Sequence, residues 1–179
     1  MRIIGGIHKG KQLLPPKNLP VRPTTDFAKE ALFNVLNNRI DFDELTILDL
    51  FAGTGNIALE FASRGAKKII AIDTHSPCLN FIRDTAKQLN LKSINTDRAD
   101  VFKFLKKAHT TFDVIFADPP YELPNIAEIS ELVFVHHVLN PLGLLIVEHG
   151  PKTDLSSQLH FMEMRKYGNV HFSFFQQPE

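Results

Sequence analysis

An apolar run in the second half of the chain ends in a short polar segment that could hold an amino group. Residues 112–123 read FDVIFADPPYEL, so an aspartate, two prolines and a tyrosine follow the apolar run. Pro119 has a fixed φ and is kept extended by Pro120, which leaves its carbonyl oxygen little freedom of direction. This oxygen and the Asp118 carboxylate would form two adjacent acceptors, which suit a planar NH2 group with two hydrogens to donate.

The same segment predicts how such an amino group could be activated. An exocyclic amine on a nucleobase is a poor nucleophile, because its lone pair is delocalised into the ring. Acceptors bound to its hydrogens stabilise the positive charge that develops on the nitrogen during attack on a methyl group, more than they stabilise the ground state. Tyr121 adds an aromatic face on which the same base could stack. The alternative is that DPPY only forms a rigid turn after a strand and binds no ligand.

A glycine-containing segment follows an earlier apolar run. FAGTGNIA, directly after TILDL, places glycines at 53 and 55 and an alanine at 58, which fits the pattern GxGxxA after a strand. Gly53 would allow the tight turn, and Gly55 would keep side-chain bulk away from a ligand. Asp49 lies in the strand just before the turn. A tight turn from strand to helix without a ligand is the alternative, since this pattern is weak by itself.

Two further carboxylates occur at the ends of the next apolar segments. Asp73 follows Gly55 by 18 residues and could accept hydrogen bonds from both hydroxyls of a ribose. Asp100 could accept from the amine of an adenine, while the amide of Val101 donates to a ring nitrogen. A helix N-cap is the alternative for Asp100, and the two roles are compatible. Together, the glycine-containing segment FAGTGNIA and Asp73 predict a nucleoside cofactor, either NAD or S-adenosylmethionine.

Such residues meet in an α/β fold whose strands end at one edge of a sheet. From Thr46 onward, strand-like apolar runs alternate with segments of helical spacing, which predicts an open, mostly parallel sheet with helices on both faces. Ligands of such sheets bind outside the carboxyl ends of the strands, where the strand order reverses. An antiparallel hairpin is predicted at one edge of the sheet, from the β-like runs 160–167 and 169–176 and a turn at Gly168 and Asn169. The other predicted strands are 46–51, 67–73, 94–100 (the weakest), 112–118 and 143–150, and the predicted helices are 55–65, 76–90, 101–108 and 124–139.

The first 25 residues differ from the rest in charge and pattern. Residues 2–14 have glycines at turn points and predict a β-hairpin, and a proline-bearing link leads to a helix capped by Thr25 and Asp26. We therefore predict two parts, a basic arm at 1–25 and a catalytic domain at 26–179. The arm would contact nucleic-acid phosphate, with an ordinary solvated surface as the alternative. Its charged residues are all basic: Arg2, Lys9, Lys11, Lys17 and Arg22.

Composition limits the classes of function. Lys plus Arg and Asp plus Glu both number 20, so the total charge gives no support to a nucleic-acid partner. Cys78 is the only cysteine, which excludes an intramolecular disulfide and favours a reducing cytoplasm. No apolar stretch approaches the roughly 18 residues of a membrane span, so we expect no membrane partner. One cysteine and histidines without ligand spacing predict no metal site.

At this point the motifs resemble a known enzyme family. LDLFAGTG, with DPPY three elements later, resembles the class I S-adenosylmethionine-dependent methyltransferases that act on exocyclic amines. RIIGG, KGKQL and RPTTDFAKEALFNVL narrow the resemblance to the bacterial RsmD family, which methylates the exocyclic amine of a guanine in 16S ribosomal RNA. The resemblance spans almost the entire chain, and RPTTD is its most specific part.

The resemblance implies a Rossmann-like sheet of seven strands, S-adenosyl-L-methionine as cofactor, and methylation of a guanine N2 amine in 16S ribosomal RNA. The RNA would be part of a small ribosomal subunit or its assembly intermediate. Phe27 departs from the family pattern, in which a basic residue often follows the RPTTD aspartate. The implied residues are Asp49, Phe51, Gly53, Gly55, Asp73, Asp100 and Val101 for the donor, Asp118, Pro119 and Tyr121 for catalysis, and Arg2, Lys9, Lys11, Arg22, Thr24, Thr25 and Pro120 for RNA.

Three other functions stay open at this stage. Methylation of an adenine or cytosine amine in DNA or another RNA would use the same acceptor pair. An NAD-dependent oxidoreductase would use the glycine segment and Asp73, but it leaves DPPY unexplained. A non-catalytic RNA-binding module could use the fold as a platform, although intact Asp118 and Tyr121 argue against it. Glu148 and His149, at the end of the strand 143–150, are predicted to lie in a solvated loop, with a position on the RNA side of the crevice as the alternative.

Overall fold

A seven-stranded sheet forms the centre of the computed structural model, which describes residues 1–20 and 25–179. In chain order the strands are β1 (Thr46–Leu50), β2 (Lys68–Asp73), β3 (Ile94–Arg98), β4 (Phe112–Ala117), β5 (Leu139–His149), β6 (Phe161–Tyr167) and β7 (Val170–Gln176). Their order across the sheet is β3-β2-β1-β4-β5-β7-β6. Strands β1 to β5 pair in parallel, and β7 is antiparallel to both β5 and β6. The predicted α/β sheet and its C-terminal hairpin are confirmed.

Helices cover both faces of this sheet. They are α1 (Asp26–Asn37), α2 (Asn56–Ser63), α3 (Ser76–Gln88), α4 (Val101–Lys106) and α5 (Ala127–Val135). The first three share a core with Ile47 and Val114, whereas α4 and α5 share a second core with Leu48 and Ile115. The central strands are therefore buried on both faces, which explains why they read as continuous apolar runs. Within the described ranges, no helix has the length and apolar character needed to cross a membrane.

Two elements, α5 and β5, differ from their predicted bounds by more than two residues. The helix predicted at 124–139 ends at Val135, because the backbone reaches a left-handed conformation at His137, with a φ of 51°. Strand β5 then begins at Leu139, earlier than predicted, since Leu139 pairs with Phe112 before an irregularity in the register. The weak strand predicted from residue 94 is present, and it forms an edge of the sheet, where polar side chains are tolerated.

The N-terminal arm is not the regular hairpin that was predicted. Arg2 and Gln12 form an isolated antiparallel bridge, and a 3-10 helix, Gly6–His8, occupies the segment between its two ends. The close approach of this segment to α2 explains the distortion. A Cβ atom at Gly6 would lie 1.7 Å from the carbonyl oxygen of Ser63, in the last turn of α2. The arm therefore packs against the sheet domain through its main chain.

Candidate active site

A cavity of about 500 Å³ lies at the carboxyl ends of the parallel strands, where the strand order reverses between β1 and β4. This is the place at which open α/β sheets bind ligands, and the volume is within the range of small-molecule sites. The fold brings most of the predicted site residues to this one cavity. The predicted residues that line it are Thr25, Asp49, Phe51, Gly53, Asp73, Asp100, Val101, Asp118, Pro119, Pro120 and Tyr121.

The remaining predicted residues have other positions. Arg2, Lys9 and Lys11 are exposed on the arm and are absent from the lining of the cavity. The guanidinium of Arg2 lies 3.8 Å from the carboxylate of Asp26, at the start of α1. The predicted RNA contacts Arg22 and Thr24 lie outside the described residues.

Gly55 has a role in the packing of the helices. It is the N-cap of α2 with a φ of 76°, and a Cβ atom here would lie 2.6 Å from Cγ1 of Ile82 in α3. Among the described residues, Gly55 is not part of the cavity lining. The left-handed backbone and the packing of α3 are two reasons for a glycine that the sequence did not indicate, and the predicted clearance for a ligand stays a prediction.

The Asp73 carboxylate holds the glycine turn at the cavity. Its Oδ2 atom accepts a hydrogen bond from the amide of Gly53 at 2.8 Å, and Oδ1 accepts one from the amide of His75 at 2.9 Å. The bond from Gly53 joins the end of β2 to the turn after β1, and the two bonds together fix the direction of the carboxylate. A rigid acceptor is therefore in place beside the turn at which a nucleoside was predicted.

Asp49 is a buried carboxyl group on the same side of the cavity. Its Oδ2 atom accepts a hydrogen bond from the amide of Ala58 at 3.0 Å, and only 1% of the residue is exposed. Burial raises the pKa of Asp49 to about 8, and the nearby charge of Asp73 acts in the same direction, although the Ala58 amide opposes both. The close approach of α2 to β1 explains the small residue at the alanine of GxGxxA. A strongly perturbed carboxyl in a cavity is a candidate for ligand binding.

Asp100 and two aromatic rings form another wall of the cavity. Asp100 is the N-cap of α4, and its carboxylate accepts from the amide of Lys103 at 2.9 Å, which confirms the N-cap interpretation. The rings of Phe51 and Phe102 meet edge to face at 6.3 Å. Phe102 was not among the predicted site residues. A flat apolar wall next to a carboxylate is suited to an aromatic base with an amino group.

The opposite side of the cavity is built by the DPPY segment. The amide of Asp118 donates to the carbonyl of Leu50 at 3.2 Å, which fixes the end of β4 against β1. The hydroxyl of Tyr121 donates to Oε1 of Glu148 at 2.8 Å. A Cβ atom at Gly150 would lie 2.7 Å from the Tyr121 ring, so the ring packs on the main chain there. The position of Tyr121 is thus fixed by the hydrogen bond of its hydroxyl and by the packing of one edge of its ring on Gly150.

The prediction of a solvated loop at Glu148 and His149 was wrong. Both residues are in β5 and are almost completely buried, and Glu148 lines the cavity. Strand β7 continues its pairing with β5 as far as His149 opposite His171, which covers this part of the edge. The Nε2 atom of His149 lies 2.8 Å from the hydroxyl oxygen of Ser173, and burial lowers the pKa of its imidazole.

A buried ion pair joins α1 to α2 beside the arm and was not predicted. The ammonium of Lys29 lies 3.3 Å from the carboxylate of Glu60 and donates a hydrogen bond to Oδ1 of Asn56 at 2.7 Å. Glu60 also accepts from the amides of Ile4 at 2.9 Å and Gly5 at 2.8 Å. Burial lowers the pKa of Lys29, while Glu60 acts in the opposite direction. Because Asn56 lines the cavity, this pair connects the arm to the site.

The sequence contains a signal for this pair. Lys29 lies three residues before Leu32 and seven before Leu36, so it belongs to the apolar face of α1 that packs on the core. Glu60 is the only acidic residue in an otherwise largely apolar α2. A lysine and a glutamate on two core-facing helix surfaces are expected to pair, because isolated buried charges are strongly destabilising.

Similarity to known proteins covers almost the whole chain, including the arm. A family model described as "Conserved hypothetical protein 95" matches residues 1–176. Ribosomal RNA small subunit methyltransferase D of Haemophilus influenzae is 33% identical over 155 residues, which cover 83% of this chain and 78% of that protein.

Solved structures agree with the fold. The structure of yhhF from Escherichia coli superposes with a TM-score of 0.88 and 25% identity, over 100% of this chain and 98% of that chain. An RNA methyltransferase from Salinibacter ruber, in complex with S-adenosyl-L-homocysteine, has a TM-score of 0.69 and 15% identity, over 88% of this chain and 95% of that chain. At this identity the second similarity concerns the fold alone.

Proposed function

This chain belongs to the family described as Conserved hypothetical protein 95, the RsmD-like S-adenosyl-L-methionine-dependent methyltransferases, and we propose that it methylates the N2 amine of a guanine in 16S ribosomal RNA. Methylation of ribosomal RNA agrees with the activity for which its relatives are named. The observation that carries the choice of an exocyclic amine is that Asp118, Pro119 and Tyr121 line the same cavity as Asp73 and Gly53. A site for an amino group thus adjoins a site for a nucleoside.

The residues of the cavity fit S-adenosyl-L-methionine. Asp73 would accept hydrogen bonds from the ribose hydroxyls, and Asp100 would accept from the adenine amine beside Phe51 and Phe102. Asp49 would stabilise the positive charge of the donor, and its ionisation is favoured by such a charge. When bound, S-adenosyl-L-methionine supplies an electrophilic methyl group on a sulfonium.

The chain's own residues would act on the target amine. The Asp118 carboxylate and the carbonyl oxygen of Pro119 accept its two hydrogens and stabilise the positive charge that develops on the nitrogen. Asp118 need not act as a strong base, because the methylated, protonated amine is acidic enough to lose a proton to water. Positioning supplies most of the acceleration, since holding two reactants in line can contribute on the order of 7–11 kcal/mol.

The arm at residues 1–25 would hold the RNA. Lys9 and Lys11 are exposed there, and Arg2 is exposed beside the start of α1. Positive side chains in this place can contact phosphate without making the whole protein basic. The bonds from Ile4 and Gly5 to Glu60 keep the arm in a defined position relative to α2 and hence to the cavity.

The proposal is tested by methylation with a labelled donor. The protein is incubated with small ribosomal subunits that lack the modification, with protein-free 16S ribosomal RNA and with DNA, and the labelled nucleotide is mapped and hydrolysed. We expect label in an N2-methylguanine at one position of 16S ribosomal RNA. Label in an adenine or cytosine amine, or in DNA, would support the alternative methyltransferase activity instead.

A binding measurement separates the donor from NAD. S-adenosylhomocysteine should raise the thermal unfolding temperature, whereas NAD should leave it unchanged. Asp73→Asn should reduce the increase caused by S-adenosylhomocysteine, because the ribose would lose a charged acceptor. Stabilisation by NAD alone would favour the oxidoreductase.

A further inference from the structure

Outside the cavity, an exposed aromatic ring lies near its rim. Phe27, in the first turn of α1, is 69% exposed, although it is one of the largest apolar side chains of the protein. Its ring meets the ring of Tyr167 edge to face, with 6.2 Å between the centroids and 79° between the planes. Tyr167 is supported from behind by Phe172, whose ring centroid is 6.0 Å away.

Both rings are adjacent to residues that line the cavity. Thr25, the N-cap of α1, lines the cavity two residues before Phe27, and its side chain accepts from the amide of Ala28 at 3.2 Å. Val170 also lines the cavity and pairs with Tyr167 across the turn between β6 and β7. The two elements that carry the rings thus each contribute a residue to the lining of the cavity.

The charges around Phe27 favour a base over a phosphate. Asp26 precedes it in the chain, and the guanidinium of Arg2 lies 3.8 Å from the Asp26 carboxylate. A carboxylate repels phosphate, and the Arg2 charge next to it is partly compensated. A flat, exposed ring next to a carboxylate is suited to stacking on an unpaired nucleobase, because every base has an aromatic face that can stack.

We propose that Phe27, supported by Tyr167, is a stacking platform for an unpaired nucleobase of the RNA next to the target nucleotide. This inference rests on the proposed function and extends it to the recognition of a flanking nucleotide. It assigns to Phe27 a role in RNA binding rather than in chemistry. Loss of the ring should therefore raise the KM for RNA and leave the turnover number unchanged.

Substitutions at Phe27 test the nature of the contact. Phe27→Ala and Phe27→Leu should each raise the KM for small ribosomal subunits by on the order of tenfold, because stacking of a base on an aromatic ring is lost. Phe27→Trp should keep the wild-type KM, and S-adenosylhomocysteine affinity should be the same in all three variants. A wild-type KM for Phe27→Leu would show that an apolar surface is sufficient, and it would overturn the platform.

Val135→Ala is the matched control. Val135 is the last residue of α5, is 68% exposed, and lies at the end of the helix away from the cavity. Its substitution should leave the KM for RNA unchanged. An equal increase in KM for Val135→Ala and Phe27→Ala would mean that the effect is not local to the rim, and it would overturn the proposal.

Photo-crosslinking identifies the neighbour of position 27. With p-benzoylphenylalanine in place of Phe27, irradiation of the complex with unmodified small subunits should join the protein to ribosomal RNA near the methylated nucleotide. Crosslinks to a ribosomal protein alone would overturn the platform. Methylation by the wild type is measured separately. If the wild type methylates RNA and the Phe27 variants have the wild-type KM, only the platform is overturned. If the wild type labels no RNA, the proposed function is overturned.

Discussion

Charged side chains are removed from water in two different ways in this molecule. At the cavity, the carboxyl groups of Asp49 and Asp73 accept hydrogen bonds from main-chain amides and lie near one another. Under the arm, Lys29 and Glu60 are completely buried and pair with each other. The first group therefore collects carboxyl groups, which can carry only negative charge, and the second group compensates opposite charges.

This difference indicates different roles. Burial raises the pKa of Asp49 to about 8, and the nearby charge of Asp73 acts in the same direction, so a positively charged ligand would favour the ionised form of Asp49. A buried ion pair of opposite charges needs no ligand, but it requires both of its members. We therefore expect substitutions at the cavity to change activity and ligand binding, and substitutions in the Lys29–Glu60 pair to change stability.

The largest effect is expected on the reaction rate, at Asp118. Asp118→Ala should lower kcat by roughly 10²–10⁴, because an acceptor of the amine hydrogens and a negative charge beside the developing positive charge are lost. Steady-state methylation of unmodified small subunits measures this effect.

Two controls belong to this variant. Affinity for S-adenosylhomocysteine, measured by calorimetry, and the free energy of unfolding should both stay close to the wild-type values. An equal loss of rate and of donor affinity would contradict the assignment of Asp118 to the target amine.

The next largest effect is expected on stability, at Lys29. Lys29→Met should lower the free energy of unfolding by roughly 1.5–3 kcal/mol, because Glu60 loses a buried cation partner on α1, although it keeps Arg64 at 2.9 Å and the amides of the arm. Unfolding in urea, with fluorescence of a dye or circular dichroism as the signal, gives this value.

The chain offers a matched control on its surface. Lys67 and Glu44 form an ion pair with side chains that are 62% and 77% exposed. Lys67→Met should leave the free energy of unfolding close to the wild-type value, since water screens such a pair. Similar losses for Lys29→Met and Lys67→Met would contradict the distinction between the two kinds of ion pair.

The same contrast explains which parts of the structure could be predicted from the sequence. The strands with Asp49 and Asp73 could be placed because each carries a local signal, an apolar run that ends near a carboxylate. Parallel strands end at one edge, so that local signal was sufficient to bring the acids to one cavity.

Other features depend on contacts between distant parts of the chain. Glu148 and His149 are buried because β7 returns to pair with β5, and the amino acids around them do not encode that pairing locally. Two of the partners of Glu60, the amides of Ile4 and Gly5, come from the arm, more than 50 residues away in the chain. For Gly55 the residue was recognised but its partner was not, since the neighbour Ile82 belongs to another helix.

A pH dependence of stability is expected from Asp49. Its folded-state pKa of about 8 is raised above the ordinary value of 3.8, so the folded protein holds a proton that the unfolded chain releases between these values. Stability should therefore fall as the pH rises from about 4 to about 8, by at most roughly 1.4 kcal/mol per pH unit from this group. Urea unfolding of the wild type and Asp49→Asn over this range measures the difference.

The other titrating groups are the same in Asp49→Asn and in the wild type, so their contributions cancel in the difference between the two proteins. The difference in free energy of unfolding between Asp49→Asn and the wild type should increase in favour of the variant as the pH rises. S-adenosylhomocysteine should reduce the pH dependence of the wild type, because its ammonium group favours ionised Asp49. A difference that is constant with pH would mean that Asp49 is ionised in the folded protein throughout.

The smallest effect is expected at Tyr121, which donates a hydrogen bond to Glu148. Glu148 lines the cavity, as Asp49 and Asp73 do, and it is buried with a side-chain partner, as Glu60 is. Tyr121→Phe keeps the ring against Gly150 and loses a hydrogen bond worth roughly 0.5–1.5 kcal/mol, so kcat/KM for RNA should fall by no more than about tenfold. Tyr121→Ala should cause a larger loss, because the face for the base is also removed. Donor affinity should be unchanged in both. If Phe and Ala are equally damaging, the hydroxyl and its bond to Glu148 are what position the segment, and Glu148 then belongs with Glu60 as a structural acid.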